Sequence, residues 1–309
     1  MSSMGYYEKE YRSRMHISKD GNPLFMLIAI NLVVFVLFSF IKVVYYFNDS
    51  IELYQQQILN WFTLPADAGK LFLRPWTILT HFLLHDGLWH AVGNMIWLWV
   101  FGYILQDLSG KNRVVPVFVY GALAGALFFI LSYNFLTVLK PELPYAHALG
   151  ASAGVMAVAV ATTMIAPGYR IFPMIMGGIP LWVLTALFIV MDLATIPYNN
   201  PGGHIAHIAG AGMGAFFVFM LRKDYDLGGW MNDFFEWTNN LFNPNKPKKG
   251  QRLKDQLFYR STTKPFKKTL NLTQQKVDEI LDKINQKGYS YLSEEEKELL
   301  KRASKEDML

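Results

Sequence analysis

Long apolar segments that are almost free of charge dominate the middle of this chain, and they constrain its fold more than any other feature. Six of them cover about residues 24–47, 88–106, 114–135, 149–166, 174–196 and 204–221. A helix needs about 20 apolar residues to cross a hydrocarbon core about 30 Å thick. Because a soluble protein needs charge on all its outer faces, we predict an all-α polytopic membrane protein, a bundle of six transmembrane helices.

Charged residues collect towards the two ends of the chain and divide it into regions. The predicted regions are a polar tail at 1–23, the six-span core at 24–222, an amphipathic segment with a basic linker at 223–268, and a small helical hairpin at 269–309. In the last region, apolar residues recur at helical spacing. Ser293 and Glu296 form a capping box that predicts the start of its second helix. Within the core, residues 48–86 mix aromatic and charged residues and predict a structured loop at the membrane interface.

The distribution of Lys and Arg orients the spans. One side of the membrane receives Lys9, Arg12, Arg14, Lys19, Lys111, Arg113, Arg170, Arg222 and Lys223. The opposite side receives Lys70, Arg74 and Lys140. The positive-inside rule therefore predicts that both termini are cytoplasmic. The net charge of +5 belongs to these membrane-proximal segments, and no recognition motif suggests a nucleic-acid partner.

Histidine and asparagine side chains mark the start of the second span. His90 and Asn94 are four residues apart and share one helix face, while His81 and His85 precede them. Placing such polar side chains in lipid costs free energy, so their presence in a span suggests a functional role. A metal site from His81, His85 and His90 is one reading, but no HExxH motif is present and we expect no acidic ligand on the neighbouring spans. The absence of cysteine excludes thiolate sites and disulfides.

Ser152 stands at the start of the fourth span, in the stretch Gly150-Ala151-Ser152-Ala153-Gly154. A serine among small residues can cap a helix, permit close helix packing or act as a nucleophile. Small residues continue along this span, and we expect that face to approach Gly210 and Gly214 of the sixth span. Close approach would also bring Ser152 within reach of a base on that span.

The even-numbered spans all begin on the same side of the membrane. The second, fourth and sixth spans run in the same direction, and His90, Asn94, Ser152 and His207 all lie within two turns of a span start. These residues are therefore expected at similar depth. A serine nucleophile, a histidine base and a pair of side-chain donors are the parts that acyl transfer requires.

Two histidines on the sixth span are candidates for the base. His204 and His207 are three residues apart and can face the same side. If the fourth and sixth helices begin near Leu149 and His204, then Ser152 and His207 lie equally far along them. Matching depth favours His207.

Together these motifs resemble the rhomboid family of intramembrane serine proteases over residues 24–222. The matching residues are His85 with His90-x-x-x-Asn94, then Gly150-Ala-Ser152, then Ala206-His207-Ile-Ala-Gly210. The resemblance implies Ser152 as nucleophile, His207 as general base, and His90, Asn94 and the Ser152 N–H as oxyanion donors. It also implies supporting roles for His85, Gly150, Gly154 and Gly210, with no cofactor and no metal. The tail resembles the short helical extension of some bacterial rhomboids.

The family uses a serine–histidine dyad, and we expect no Asp or Glu in this chain to orient His207. Four positions depart from the family pattern: Thr77 follows Trp76 where a Trp-Arg pair is frequent, Gln106 stands where a glutamate is common, and two more lie beside the serine. Ala153 follows the serine where the family often has glycine, and Met156 occupies a position where many members carry an aromatic residue against the catalytic histidine.

The sequence thus predicts an intramembrane serine endopeptidase that cleaves transmembrane segments of other membrane proteins near the outer surface. Water must reach Ser152, so we expect a polar cavity beneath the loop at 197–203. The predicted partners are transmembrane substrates and the lipid bilayer, and the oligomeric state stays open. Two alternatives are an inactive relative that binds transmembrane helices and a histidine-rich metal or proton carrier.

Overall fold

The computed structural model describes residues 22–171, 177–239 and 274–306. Its contacts divide the chain into two compact units, residues 1–238 and 239–309. Most of the predicted N-terminal tail and the whole basic part of the linker lie outside the described residues.

Helices make up most of the described part of the first unit. In chain order they are α1 (Pro23–Phe47), α2 (Ile51–Gln57), α3 (Ala68–Leu73), α4 (Thr77–Thr80), α5 (Leu88–Ser109), α6 (Val114–Phe135), α7 (Ser152–Ile165), α8 (Leu181–Thr195), α9 (Pro201–Leu221) and α10 (Gly229–Asn239). The described strands are two residues long and form two antiparallel pairs. They are β1 (Leu64–Pro65) with β2 (His147–Ala148), and β3 (Arg170–Ile171) with β4 (Ile179–Pro180).

Four helices of the described chain are long and apolar enough to cross a membrane. They are Pro23–Phe47, Leu88–Ser109, Lys111–Phe135 and Pro201–Leu221. The predicted fourth and fifth spans correspond to α7 and α8, which are apolar but have only 14 and 15 residues. At about 1.5 Å per residue they reach about 21–23 Å, less than a hydrocarbon core of about 30 Å. The all-α membrane fold is confirmed, with two helices shorter than the sequence predicted.

Backbone conformation explains why both helices start late. Gly150 has φ +120°, which a helix cannot accommodate, so α7 begins at Ser152 rather than near Leu149. The strand ending at Pro180 precedes α8 directly, so that helix begins at Leu181. Residues 172–176 of the predicted fifth span lie outside the described residues.

The central element of the first unit is α7. Every residue from Ala153 to Thr162 is buried. The surrounding contacts come from α5, α6, α8 and α9, which enclose α7 on all sides. The start of α7 is therefore the point where side chains from several helices can meet.

Small residues allow α7 and α9 to touch through their backbones. A Cβ atom on Gly210 would overlap the carbonyl group of Ala153, and one on Gly214 would overlap the backbone a turn further along α7. The expected approach of the fourth and sixth spans is thus confirmed. Gly154 faces the other way, because a Cβ atom there would lie 2.7 Å from the ring of Phe118 on α6.

The loop between α1 and α5 is structured, as predicted, and it supports the segment that leads into α7. Its strand β1 pairs with β2, which places Pro65 opposite His147. A hydrogen bond of 3.2 Å joins the Thr63 hydroxyl group and Nδ1 of His147. The Asn134 side chain of α6 donates to the Ala66 carbonyl at 2.9 Å. The polypeptide before Ser152 is therefore tied to both the first loop and α6.

In the second unit, the helices predicted for the hairpin are α11 (Gln274–Lys287) and α12 (Glu294–Glu306). Gly288, at φ +87°, follows the end of α11. The capping box is present, since the Glu296 N–H donates to the Ser293 hydroxyl at 3.3 Å and the Ser293 N–H donates to the Glu296 carboxylate at 2.8 Å. Ile280, Leu292 and Leu299 form the buried centre of this unit.

Candidate active site

Ser152 is the first residue of α7, directly after a sharp bend in the chain. Gly150 forms that bend in the left-handed region of φ, which disfavours any side chain. A Cβ atom on Gly150 would also lie 2.8 Å from Cε1 of His90 and 3.7 Å from Oγ of Ser152. Glycine at this position therefore lets His90 and Ser152 face one another across a very small space.

Two buried histidines, His81 and His85, accept hydrogen bonds from the backbone of the bend. The Gly150 N–H donates to the backbone carbonyl of His81 at 2.9 Å. The Ala151 N–H donates to Nε2 of His85 in a long hydrogen bond of 3.5 Å. Burial lowers the pKa of His81 to about 4, and burial together with the nearby His90 lowers the pKa of His85 to about 4. Both rings are therefore neutral at pH 7, which leaves a nitrogen of His85 able to accept.

His207 of α9 is the histidine that contacts Ser152. Its Nε2 lies 2.6 Å from Oγ of Ser152, although 55 positions separate the two residues in the chain. The ring of His204 lies 5.8 Å from that of His207, and its Nδ1 is directed at α8. Of the two candidates for the base, only His207 forms a hydrogen bond with the serine among the contacts described.

The sequence analysis favoured His207 by assuming that the two helices begin near Leu149 and His204, and both assumed starts were wrong. Ser152 opens α7, whereas His207 lies six residues after Pro201, about 9 Å along α9 at about 1.5 Å per residue. The two helices therefore start at different levels. Because the bend at Gly150 carries the chain inward before α7 begins, Ser152 still reaches the level of His207.

Asp192 of α8 is a site residue that the sequence analysis missed. Its Oδ1 lies 2.9 Å from Nδ1 of His207 and 2.7 Å from Nδ1 of His204, and its side chain is only 10% exposed. The expectations that no acidic residue lies on the neighbouring spans and that none orients His207 were both wrong. A short turn joins α8 to α9, so the last turn of one helix packs beside the first turns of the other.

A signal for Asp192 was available in the sequence. It is the only acidic residue within the six predicted spans. An ionisable residue inside a span is by default a candidate for function, with a partner to be identified. The two histidines of the sixth span were the obvious partners.

Asn94 and His90 of α5 border the space beside Ser152. Asn94 lines a cavity of about 240 Å³ together with Ser152 and His207. Its Nδ2 atom is buried and has no hydrogen-bond partner among the described residues. A buried donor without a partner costs about 1–3 kcal/mol, so an acceptor placed in this cavity would be favoured. His90 instead lines a second cavity of about 340 Å³, which also contains Ser152 and His207.

The two cavities share Ser152 and His207 in their linings but are otherwise bordered by different residues. The larger one is polar and is bordered by Asn200 and Gly203 at the start of α9, in the region where the sequence predicted a covering loop. The smaller one lies between α5 and α8, where Trp97 and Phe188 form an apolar wall. Met156 lines this smaller cavity with His207, at the position where many family members carry an aromatic residue.

One cluster in the described chain has the donor set of a metal site. The nitrogen atoms of His204 and His207 and an oxygen of Asp192 lie within 4.8 Å of one another. Two imidazoles and a carboxylate suit zinc. The trio proposed from the sequence, His81, His85 and His90, is not among the donor clusters of the described residues.

The family model of the rhomboid domain matches residues 73–224, a stretch that contains every candidate site residue named above. The membrane core of this chain belongs to the rhomboid family. The resemblance inferred from three short motifs is thereby confirmed. Residues 266–306, around the C-terminal hairpin, match a family of unknown function (DUF6576).

Curated relatives of the rhomboid core are distant. RHOMBOID-like protein 12, mitochondrial, from Arabidopsis thaliana is 25% identical over 181 residues, covering 55% of this chain and 53% of that protein. Rhomboid protease GlpG from Yersinia pseudotuberculosis is 20% identical over 180 residues, covering 52% and 53%. The GlpG of Photorhabdus laumondii is 22% identical over 140 residues, covering 40% and 45%. The chain spans about half the length of the curated relatives it matches.

Proposed function

We propose that this rhomboid family member is an intramembrane serine endopeptidase that cleaves transmembrane segments of other membrane proteins near the outer surface. The observation that carries the proposal is the 2.6 Å contact between Nε2 of His207 and Oγ of Ser152. A serine hydroxyl group becomes a useful nucleophile only when a base can take its proton. Here the base reaches the serine at the start of a buried helix that two cavities border.

The reaction would follow the two-step course of serine proteases. Oγ of Ser152 attacks the scissile carbonyl carbon while its proton moves to Nε2 of His207, and the carbonyl electron pair moves to the oxygen. The C–N bond then breaks, and His207 returns the proton to the departing amine. Water, activated by the same histidine, attacks the acyl-enzyme ester and releases the second product together with the free serine.

The negative charge on the carbonyl oxygen needs donors that are already in place. Asn94 fits this role because its buried Nδ2 has a free N–H beside the serine. His90 borders Ser152 from the other cavity, and the Ser152 N–H stands at the first turn of α7, where backbone donors lack helical partners. We assign the oxyanion site to these three groups.

The chain is embedded in a membrane by its apolar helices. We propose that this is a bacterial inner membrane, from the resemblance to bacterial rhomboids. Both termini then lie in the cytoplasm, because Lys and Arg are concentrated on that side of the predicted topology. Transmembrane substrates would then be cut at the opposite face.

Labelling by a serine-directed fluorophosphonate tests the proposal in detergent, with cleavage of a model transmembrane substrate as the second readout. The wild-type protein should react in both assays and the Ser152→Ala variant in neither. Ser132→Ala is the matched control, because Ser132 is a buried serine of α6 whose hydroxyl group donates to the Phe129 carbonyl and lines neither cavity. Cleavage by a folded Ser152→Ala variant, or an unlabelled wild type, would contradict the proposal.

A further inference from the structure

We propose that Asp192 is a positioning residue that fixes the proton of His207 on Nδ1 and thereby directs the lone pair of Nε2 at Ser152. The inference rests on the proposed function, since the tautomer of His207 matters only if that residue is the base. It extends the serine–histidine dyad implied by the family resemblance to a third residue, on a third helix.

The hydrogen-bond geometry permits one consistent arrangement of protons. An ionised carboxylate can only accept, so the His207 nitrogen 2.9 Å from Oδ1 of Asp192 must carry hydrogen. A neutral imidazole has a single N–H, which leaves Nε2 as an acceptor for the Ser152 hydroxyl at 2.6 Å. The opposite tautomer would place two lone pairs against each other on the Asp192 side and lose the acceptor on the serine side.

His204 fixes the carboxylate in turn. Its Nδ1 lies 2.7 Å from the same Oδ1 atom, so two imidazole N–H groups from adjacent turns of α9 converge on one oxygen. Both histidines sit on α9 and Asp192 on α8, so the contact also fixes the two helices locally. We infer that His204 acts through Asp192 and not on the substrate.

Burial makes the pairing energetically significant. The Asp192 side chain is 10% exposed in an otherwise apolar helix, where an ionised group without partners would be strongly disfavoured. Two N–H donors offset that penalty. When His207 takes the serine proton it becomes an imidazolium ion, and the adjacent carboxylate stabilises the positive charge. The same contact thus serves the resting state and the reaction.

Two variants of Asp192 separate a positioning role from a purely structural one. Asp192→Asn keeps the size and an acceptor oxygen but loses the charge and can donate to Nδ1, which would favour the wrong tautomer. Its fluorophosphonate labelling rate should fall by about 10- to 10⁴-fold, the upper figure being that for the equivalent change in a serine protease triad, in protein that thermal denaturation shows to be folded. Asp107→Asn, an exposed acid on α5, is the matched control.

Chemical rescue distinguishes the two roles, because an added carboxylate should restore activity only if Asp192 acts through its charge. Asp192→Ala leaves a space in the wall of the smaller cavity, into which a small ligand can diffuse. Sodium formate should restore part of the labelling rate, because it replaces the lost carboxylate. Formamide has nearly the same shape without the charge, and it should restore much less.

The controls distinguish failure of this inference from failure of the proposed function. Wild-type protein must be labelled and Ser152→Ala must not be, which tests the proposed function alone. On that background, wild-type labelling by Asp192→Asn, or equal rescue by formate and formamide, would overturn the positioning role. Slow labelling by both variants with rescue specific to formate would support it. The two variants alter packing differently, so a folding defect in one leaves the other as the test.

Discussion

Gly210 of α9 packs directly against the carbonyl group of Ala153, the residue after Ser152. It lies three residues after His207, one turn along the same helix. The contact of the two backbones therefore occurs beside the serine–histidine pair. The 2.6 Å distance between Nε2 of His207 and Oγ of Ser152 depends on the missing side chain at position 210.

Gly210→Ala should consequently separate α9 from α7 and weaken catalysis. A displacement of about 1 Å at the reacting groups can cost about 10²-fold in rate, and we expect a loss of this order in labelling and cleavage. Gly212→Ala is the control, since a Cβ atom there would meet no atom within 4 Å. Equal rates in the two variants would show that the helix contact does not set the distance.

Asn94→Ala should lower kcat by about 10²–10³-fold, the usual effect of removing one oxyanion donor. KM should change little, because the Asn94 side chain stabilises a negative charge that develops only in the transition state. Asn31→Ala is a matched control, since Asn31 is a buried asparagine of α1 that donates to the Leu27 carbonyl and lines neither cavity. A raised KM with normal kcat would instead indicate a role for Asn94 in binding the substrate.

His207→Ala should abolish both proteolysis and fluorophosphonate labelling, whereas His204→Ala should retain a substantial part of each. The reason is geometric: His207 contacts Ser152, while His204 reaches the site only through Asp192. Thermal denaturation of both variants checks that the folds are comparable. The reverse pattern of activities would transfer the role of base to His204.

The parts of the site that the sequence predicted are those whose residues stand out locally. Ser152 and His207 are polar residues near the starts of apolar segments, and the family motifs around them are short and continuous. Asp192 is three residues from the end of its helix and belongs to no such motif. Its role depends on the turn that places α8 against α9, and spacing along the chain does not specify that packing.

The relative depths of Ser152 and His207 in the helix bundle could not be predicted from the sequence either. Counting residues from the predicted helix starts gave Ser152 and His207 the same offset, yet the observed offsets differ by six residues. The bend at Gly150, held by His81 and His85, sets the level at which α7 begins. Six apolar segments were readily identified from hydropathy, but this bend and the strand ending at Pro180 shorten two of the helices.

No described residue of the C-terminal region belongs to the candidate site. Deleting residues 240–309 should therefore leave cleavage in detergent largely intact. The truncation should stop after α10, because the indole N–H of Trp230 donates to the Tyr120 hydroxyl at 2.8 Å and that hydroxyl donates to the Leu227 carbonyl at 3.0 Å. Deletion from residue 224 removes both contacts and serves as the comparison. A folded 240–309 deletion without activity would show that the tail supports the core.

Zinc ions should inhibit the protein through the cluster of Asp192, His204 and His207. A metal bound to Nδ1 of His207 displaces the proton there and leaves hydrogen on Nε2, so Ser152 loses its base. We expect labelling to slow as Zn²⁺ is added and to recover with a chelator. The affinity should fall in His204→Ala, which removes one of the three donors but not the base. Zinc sensitivity that is unchanged in this variant would place the inhibitory metal elsewhere.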